Sequence, residues 1–358
     1  MNVFFLFPYP LGESPSQRFR FEQYFDHIQR TGIQYQCQSF WDERTWRILY
    51  KKGHTLTKVM GFLKGVLRRF GILFKLRQAN YIFIHRETLP VGPPIIEWAI
   101  AKVLRKKIIY DFDDAIWLPN TSKENSIAAW IKWHSKTASI CRWSYKVSCG
   151  NDYLADFARQ YNSRVVVNPT TIDTEYHHNP ALYIKPVSDS ITVGWTGSHS
   201  TLKYLDEVVP ILQRLEEKYG DTFRFVVIAN RAPSLALHRL EFIPWVEETE
   251  IKDLMNLDIG IMPLTDDMWA KGKCGFKALQ YMALQIPAVT SPVGVNTRIV
   301  ESGVTGFLCT TADEWFQAID TLMQNAQLRR HMGEQGRKKI ERDYSVISNS
   351  STVLSLFE

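Results

Sequence analysis

Residues 257–295 read LDIGIMPLTDDMWAKGKCGFKALQYMALQIPAVTSPVGV. The apolar run 257–264 has strand character and gives way to a polar loop holding Lys271, Gly272, Lys273 and Gly275. Phe276, Leu279, Met282 and Ala283 then recur at helical spacing, Pro287 closes that helix, and residues 288–290 begin a second short strand. The spacing predicts a strand–loop–helix–strand unit, with the loop at the carboxyl edge of a parallel sheet. Such a loop suits a phosphate: a helix start concentrates amide donors and positive potential, and glycine lets the backbone come close.

Working outward, 358 residues suffice for two domains, and 45% hydrophobic with 22% charged residues describes an ordinary globular chain. Five cysteines (Cys37, Cys141, Cys149, Cys274, Cys309) form no C-x-x-C pair, which argues against a disulfide framework or a zinc site and for a reducing compartment. The start, MNVFFLFPYP, has no basic leader and two prolines, so a first buried strand is expected rather than a signal peptide. No apolar run reaches the length of a spanning helix.

The net charge of +6 is unevenly spread. No acidic residue lies between Glu43 and Glu87, whereas Arg44, Arg47, Lys51, Lys52, Lys58, Lys64, Arg68, Arg69, Lys75 and Arg77 do, interleaved with Val59, Met60, Phe62, Leu63, Val66, Leu67, Phe70, Ile72, Leu73 and Phe74. This basic amphipathic pattern over 44–77 reads as an element for an anionic membrane surface. The alternative is a solvated basic face over a core helix. No nucleic-acid recognition motif accompanies it.

In chain order, residues 3–7 make a first strand and 17–29 a helix. Residues 81–84 make a second strand, ending in His85, Arg86 and Glu87; 95–104 are helical; and a strand from 107 delivers Asp111, Phe112, Asp113 and Asp114 at its carboxyl end, where parallel sheets bind ligands. For this D-F-D-D cluster, ligand contact or proton handling, capping of the next segment, and metal binding are alternatives. His85 is either a ligand-facing residue or an ordinary packed histidine. A helix is expected over 130–138, a strand over 146–148, a helix over 152–161 and a strand over 165–167. The stretch to about residue 189 loses periodicity and reads as a linker. Residues 191–195 open a second domain with a strand, followed by TGSHSTLKYL, in which Gly197, Ser198 and His199 form a small loop and Lys203 sits in the next helical turn. Strands follow at 224–228 and 241–246, and amphipathic helices at 312–324 and 326–343.

The run LQYMALQIPAV (279–289), the TGSHSTLKYL loop, NPTTIDTEYHHNP (168–180) and ESGVTGFLC (301–309) together resemble the retaining, nucleotide-sugar-dependent glycosyltransferases of family 4. The resemblance is strongest over 191–205 and 257–309 and weak over 36–80. It implies an α/β GT-B fold: two Rossmann-like domains facing across a cleft. The first would be an acceptor domain, 1–185, with the C-terminal segment 344–358 packing back on it; the second a donor domain, 186–343. Two glutamates separated by seven residues are usual in the family; Gly272 and Gln280 stand in their places here. The resemblance implies that Lys203, Lys273 and Lys277 with the Gly275 and Phe276 amides hold the donor diphosphate. It also implies that Gly197, Ser198, His199, Gly272 and Cys274 complete that loop, that Trp245 lies near the nucleobase, and that Gln280 meets the ribose. Arg18, Arg20, Asp111 and Asp114 become candidates for the acceptor, with Lys203, Lys273, Asp113 and His85 as candidates for catalysis.

The implied reaction moves a sugar to a lipid-linked or oligosaccharide acceptor, in surface polysaccharide or glycolipid synthesis, with no metal or other cofactor. The acceptor hydroxyl attacks on the leaving-group face and the donor phosphate takes its proton. The expected place is the cytoplasm, peripheral on the inner face of the membrane. A catalytically silent nucleotide-sugar or glycan-binding partner, and an isomerising relative such as a nucleotide-sugar epimerase, are the alternatives raised by the missing glutamates.

Overall fold

The computed structural model describes residues 1–119, 133–186 and 188–358. They form two compact units: residues 1–170 with 349–358, and residues 171–348. Each is built on one six-stranded parallel sheet.

In the first unit the strands are β1 (Asn2–Phe7), β2 (Gln34–Ser39), β3 (Tyr81–His85), β4 (Lys107–Phe112), β5 (Lys146–Cys149) and β6 (Val165–Val167), in the spatial order β2-β1-β3-β4-β5-β6. Central strands are apolar because both faces are covered, as in Tyr81–His85, buried throughout. Edge strand β2, QYQCQS, is only half-buried and lacks that signature, so it is absent from the reading above. The helix expected over 17–29 is broken into Pro15–Arg18, a short turn at Glu22–Tyr24, and Phe25–Arg30.

The basic segment folds as Glu43–Leu49, capped by Asp42, and the longer helix Thr55–Ile72. The longer helix seats closely because Gly61 and Gly65 face Thr45 and Phe40, where a Cβ would stand 2.2 and 2.8 Å from side-chain atoms. Arg69, fully buried on the same face, donates to the carbonyls of Phe7 (2.7 Å), Gln38 (2.9 Å) and Thr88 (3.1 Å), at or just beyond the ends of β1, β2 and β3. Burial pulls its guanidinium down to about 9. The opposite face is apolar and exposed: Leu56, Met60, Leu63, Leu67 and Phe74 lie along it, from 53% to 75% accessible.

The C-terminal residues close this unit. Phe357 packs on the rings of Phe5, Tyr81 and Phe83, and the Glu358 carbonyl accepts from Tyr145 at 2.8 Å and Tyr81 at 3.2 Å.

The second unit contains β7 (Ile191–Gly197), β8 (Phe223–Ala229), β9 (Leu240–Pro244), β10 (Ile259–Met262), β11 (Ala288–Thr290) and β12 (Gly306–Leu308), in the order β12-β11-β10-β7-β8-β9. Its core joins Val193, Trp195, Phe225, Val227, Ile259 and Ile261 to helices Val209–Tyr219 and Ala312–Gln324. The unit begins at 171, ahead of the linker read near 185. Ile172 bridges to Ser345, and Arg337 donates to the carbonyls of Thr174, His178 and Ala283, tying 172–178 to the helices Phe276–Ala283 and Ala326–Lys339. The helix expected over 130–138 begins outside the described residues; Lys136–Trp143 is helical. No helix among the described residues is long and apolar enough to cross a membrane.

Candidate functional site

In an open parallel sheet, ligands bind beyond the carboxyl ends where the strand order reverses, because successive loops part there. In the second unit that point lies between β7 and β10, neighbours although β8 and β9 intervene in the chain. The loop after β7 carries Gly197, Ser198, His199 and Lys203; the loop after β10 carries residues 263–275.

Lys277, in the first turn of Phe276–Ala283, turns back toward β7. Its Nζ lies 5.1 Å from the Trp195 ring centre, and a Cβ on Gly197 would stand 2.9 Å from its Cε. Gly197 therefore leaves room for a lysine stem where any side chain would collide. Lys273 Nζ sits 5.2 Å over Trp269, and Lys203 Nζ 5.2 Å from the Tyr204 ring. Gly275 opens the helix at φ 68°, a left-handed conformation that favours glycine, with Ile299 packed where a Cβ would be. Cys274 is buried, its thiol 3.9 Å from the Gly272 carbonyl.

Two acids share this loop. Asp266 pairs with Lys271 at 3.2 Å. Asp267 caps Met268–Lys271, accepting from Ala270 N at 2.7 Å and Thr265 Oγ1 at 2.6 Å. Burial works against its charge, but these bonds and the nearby Lys203 ammonium outweigh it and hold the carboxyl below its ordinary value. Ser198 and His199 are exposed; Ser198 Oγ meets Ser200 Oγ at 2.9 Å, and the His199 amide donates to Asn230 at 2.8 Å.

Gln280 is placed differently from the reading above. Its amide is 1% exposed and meets His178 Nε2 at 3.2 Å and Glu250 Oε1 at 3.1 Å. The same Glu250 oxygen accepts from the Trp245 indole at 3.3 Å. Gln280 thus braces a buried cluster under the half-buried Trp245 rather than offering its amide to a ribose. Gly272 brings no carboxylate, and Glu250 is the acid beside Gln280. Sequence reasoning passed over Glu250, His178 and Trp195. Glu250 could have been flagged only as an acid shortly after a tryptophan on a short helix.

In the first unit the switch point lies between β1 and β3. Here a buried ion cluster joins four strand ends. Arg20 pairs with Asp111, donates to the Asn168 carbonyl and reaches Ser148 Oγ at 3.2 Å. Asp111 also accepts from Ser148 at 2.6 Å and meets His85 Nδ1 at 2.8 Å, and His85 Nε2 meets Ser16 Oγ at 3.2 Å. Arg20, Asp111 and His85 are at most 1% exposed. The expectation that Arg20 and Asp111 meet the acceptor is corrected: their charges are spent on each other. His85 reaches outward only through Ser16, and its carboxylate partner is already neutralised by Arg20, so the series Asp111–His85–Ser16 orders the loop after β1. Arg18 is buried against Phe19, its guanidinium 5.1 Å from the ring. Asp113 and Asp114 are bridged by Arg86, each at 2.7 Å.

The comparisons with known proteins agree with this fold. Residues 190–325 match the family model described as Glycosyl transferases group 1. Over these residues the chain is similar to the group 1 glycosyltransferases. No curated protein sequence matches it. Among solved structures, sucrose-phosphate synthase from Thermosynechococcus elongatus is 10% identical with a TM-score of 0.70, over 100% of this chain and 98% of that one. A glycosyltransferase from Rickettsia africae is 12% identical, TM-score 0.68, over 99% and 97%. Anabaena HepE, solved in complex with UDP-glucose, is 12% identical, TM-score 0.63, over 99% and 98%. At these identities the likenesses carry the fold alone, which is GT-B; the family match over 190–325 supports a glycosyltransferase.

Burial alone would raise the Asp111 carboxyl; the Arg20 guanidinium and the His85 bond outweigh it and hold it well below the carboxylate range. A depressed carboxyl contributes stability that is complete above its unfolded value near pH 4 and is lost as pH falls through and below that value. Asp111→Asn is expected to cost about 3–5 kcal/mol at pH 7 by leaving Arg20 buried without its counter-charge. It should also flatten the acid limb. Urea unfolding of both proteins across an acid pH series checks this, and parallel limbs would contradict it.

Proposed function

We propose that this glycosyltransferase moves a sugar, with retention, from a nucleoside diphosphate sugar to a hydroxyl of a lipid-linked glycan at an anionic membrane surface. The reading is supported by the loops on either side of the switch point between β7 and β10, which carry Lys203 and Lys273, and by Lys277, which lies against Trp195 where Gly275 opens a helix. Three ammonium groups and a helix start suit a diphosphate. In the proposed step the bond from the anomeric carbon to the diphosphate oxygen breaks and a bond to the acceptor oxygen forms on the same face. The acceptor proton passes to the departing phosphate. The lysines then stabilise charge on the leaving group, and no protein nucleophile is required, consistent with the uncharged Gly272 and Gln280. That Anabaena HepE binds UDP-glucose supports a uridine donor.

The engagement of Gln280 with Glu250 and His178 also favours a second reading, donor binding without turnover, which a transfer assay separates from the first. For the donor site, UDP, GDP, ADP, TDP and CMP nucleotides and their sugars are screened by thermal melting without added metal. One nucleotide is expected to raise the midpoint, and Lys203→Ala and Lys277→Ala each to weaken it at least about tenfold, roughly one charge-assisted contact. Unchanged affinity in both variants would remove this donor site.

The membrane part rests on the exposed apolar stripe of Thr55–Ile72, flanked by exposed Lys51, Lys52, Lys64, Lys75 and Arg77. Its buried glycine face points to the core, so the stripe has no partner within the described residues, and an exposed apolar face beside lysines matches the chemistry of an anionic bilayer surface. Flotation with phosphatidylserine-containing vesicles should recover the protein, and Leu63→Glu with Leu67→Glu should abolish recovery. Equal recovery with neutral vesicles would remove the electrostatic part.

A further inference from the structure

The outer strand of a sheet has backbone N–H and C=O groups with no neighbouring strand, so a sheet edge is a place where chains join unless it is guarded. The described residues contain four edge strands: β2 and β6 of the first sheet, β9 and β12 of the second. Three of these are guarded. β6 and β12 are three residues long, while β9 carries Glu241, paired with Arg224, and ends on Pro244. β2 is not. Its six residues, QYQCQS, include no charge and no proline, and they pair with β1 one to one, from Gln34 on Asn2 to Ser39 on Phe7, without a bulge.

The hydrogen bonds fix which groups face outward. Gln34 N–H donates to the Met1 carbonyl at 2.9 Å and Phe40 N–H to the Phe7 carbonyl at 2.8 Å, so the even-numbered residues face β1. The N–H and C=O groups of Tyr35, Cys37 and Ser39 therefore point away from the sheet, and they meet no partner among the described residues. Side chains alternate as well. Gln34, Gln36 and Gln38 share one face, where Arg69 Nη1 donates to Gln38 Oε1 at 2.8 Å. That bond leaves the Gln38 NH2 as a donor. Gln34 and Gln36 are exposed, and an open groove of about 860 Å³, lined also by Lys75 and Gln78, leaves this half of the strand uncovered.

A second β2 satisfies these groups. Around a two-fold axis beside Cys37, an antiparallel pair sets Cys37 against the partner's Cys37 and Tyr35 against the partner's Ser39. All three outward residues then exchange both backbone bonds. Gln36 falls opposite the partner's Gln38 at a non-hydrogen-bonded position, where Cα atoms are about 4.5 Å apart and side chains approach most closely. Its amide oxygen accepts from the NH2 of that glutamine, and the guanidinium behind favours an oxygen there, so the contact is complementary in charge. Any other protein would have to bring an unpaired strand of its own; in this chain β2 is that strand. Self-pairing uses one surface, so it closes at two copies and leaves the short β6 at both outer edges.

We propose that two copies of this chain associate by antiparallel pairing of β2 with β2, joining their first sheets into one. The pairing is independent of the transfer reading above. Sedimentation equilibrium of the full-length protein over a micromolar concentration series should show a monomer–dimer equilibrium. Hydrogen–deuterium exchange over 34–39 should slow as the dimer fraction rises, because the Tyr35, Cys37 and Ser39 amides gain acceptors. Two variants at exposed Gln36 read the register, and circular dichroism confirms that both fold. Gln36→Lys sets an ammonium toward the partner's Arg69 and should raise the dissociation constant at least about tenfold, whereas Gln36→Glu, of opposite charge, should keep the dimer. A monomer at every concentration, a dimer with unchanged exchange over 34–39, or equal weakening by both substitutions would overturn the pairing.

Discussion

Parallel strands impose one constraint on everything else in this protein: every strand ends at the same edge of its sheet, and the chain must cross back before the next begins. Each six-stranded sheet therefore gathers its loops on one side. At each reversal of strand order two of those loops part. In the second unit they carry lysines and a left-handed glycine; in the first they carry aromatic rings and an arginine held between two aspartates. The two edges thus differ in chemistry, lysines beside a glycine-opened helix at one and aromatic rings beside an arginine–aspartate group at the other.

Keeping strand ends in register at such an edge requires polar groups to be satisfied away from water. The first sheet does this with two buried arginines. Arg69 collects carbonyls at or beyond the ends of β1, β2 and β3, while Arg20 with Asp111 joins side chains and backbone from the ends of β4, β5 and β6. Arg69 also explains how Thr55–Ile72 can be basic and amphipathic yet turn its apolar stripe outward. The helix is held through its glycines, through Phe62 on Phe40 and Trp41, through the buried Ile72 and through Arg68 and Arg69, not through its leucines.

Much of the fold was legible because burial on both faces leaves strands such as Tyr81–His85 and Ile191–Gly197 as apolar runs bounded by turns. Edge strand β2 was not, because none of its residues is fully buried. The lysine and glycine loop could be read from local order alone; that Lys277 turns onto Gly197 could not. The pairing of Arg20 with Asp111 spans 91 residues, and no local pattern announces it, so both looked like ligand contacts. Gln280 looked like a ribose contact for the same reason: Glu250 and His178, which engage it, lie on other elements.

The central claim is that a nucleoside diphosphate lies between the loops after β7 and β10. Hydrogen–deuterium exchange with and without UDP tests it most directly. The account predicts slowed exchange in peptides covering 196–203 and 271–280, with little change along Thr55–Ile72. Protection that leaves both of those loops untouched, or no protection anywhere with UDP or any other nucleoside diphosphate, would contradict it.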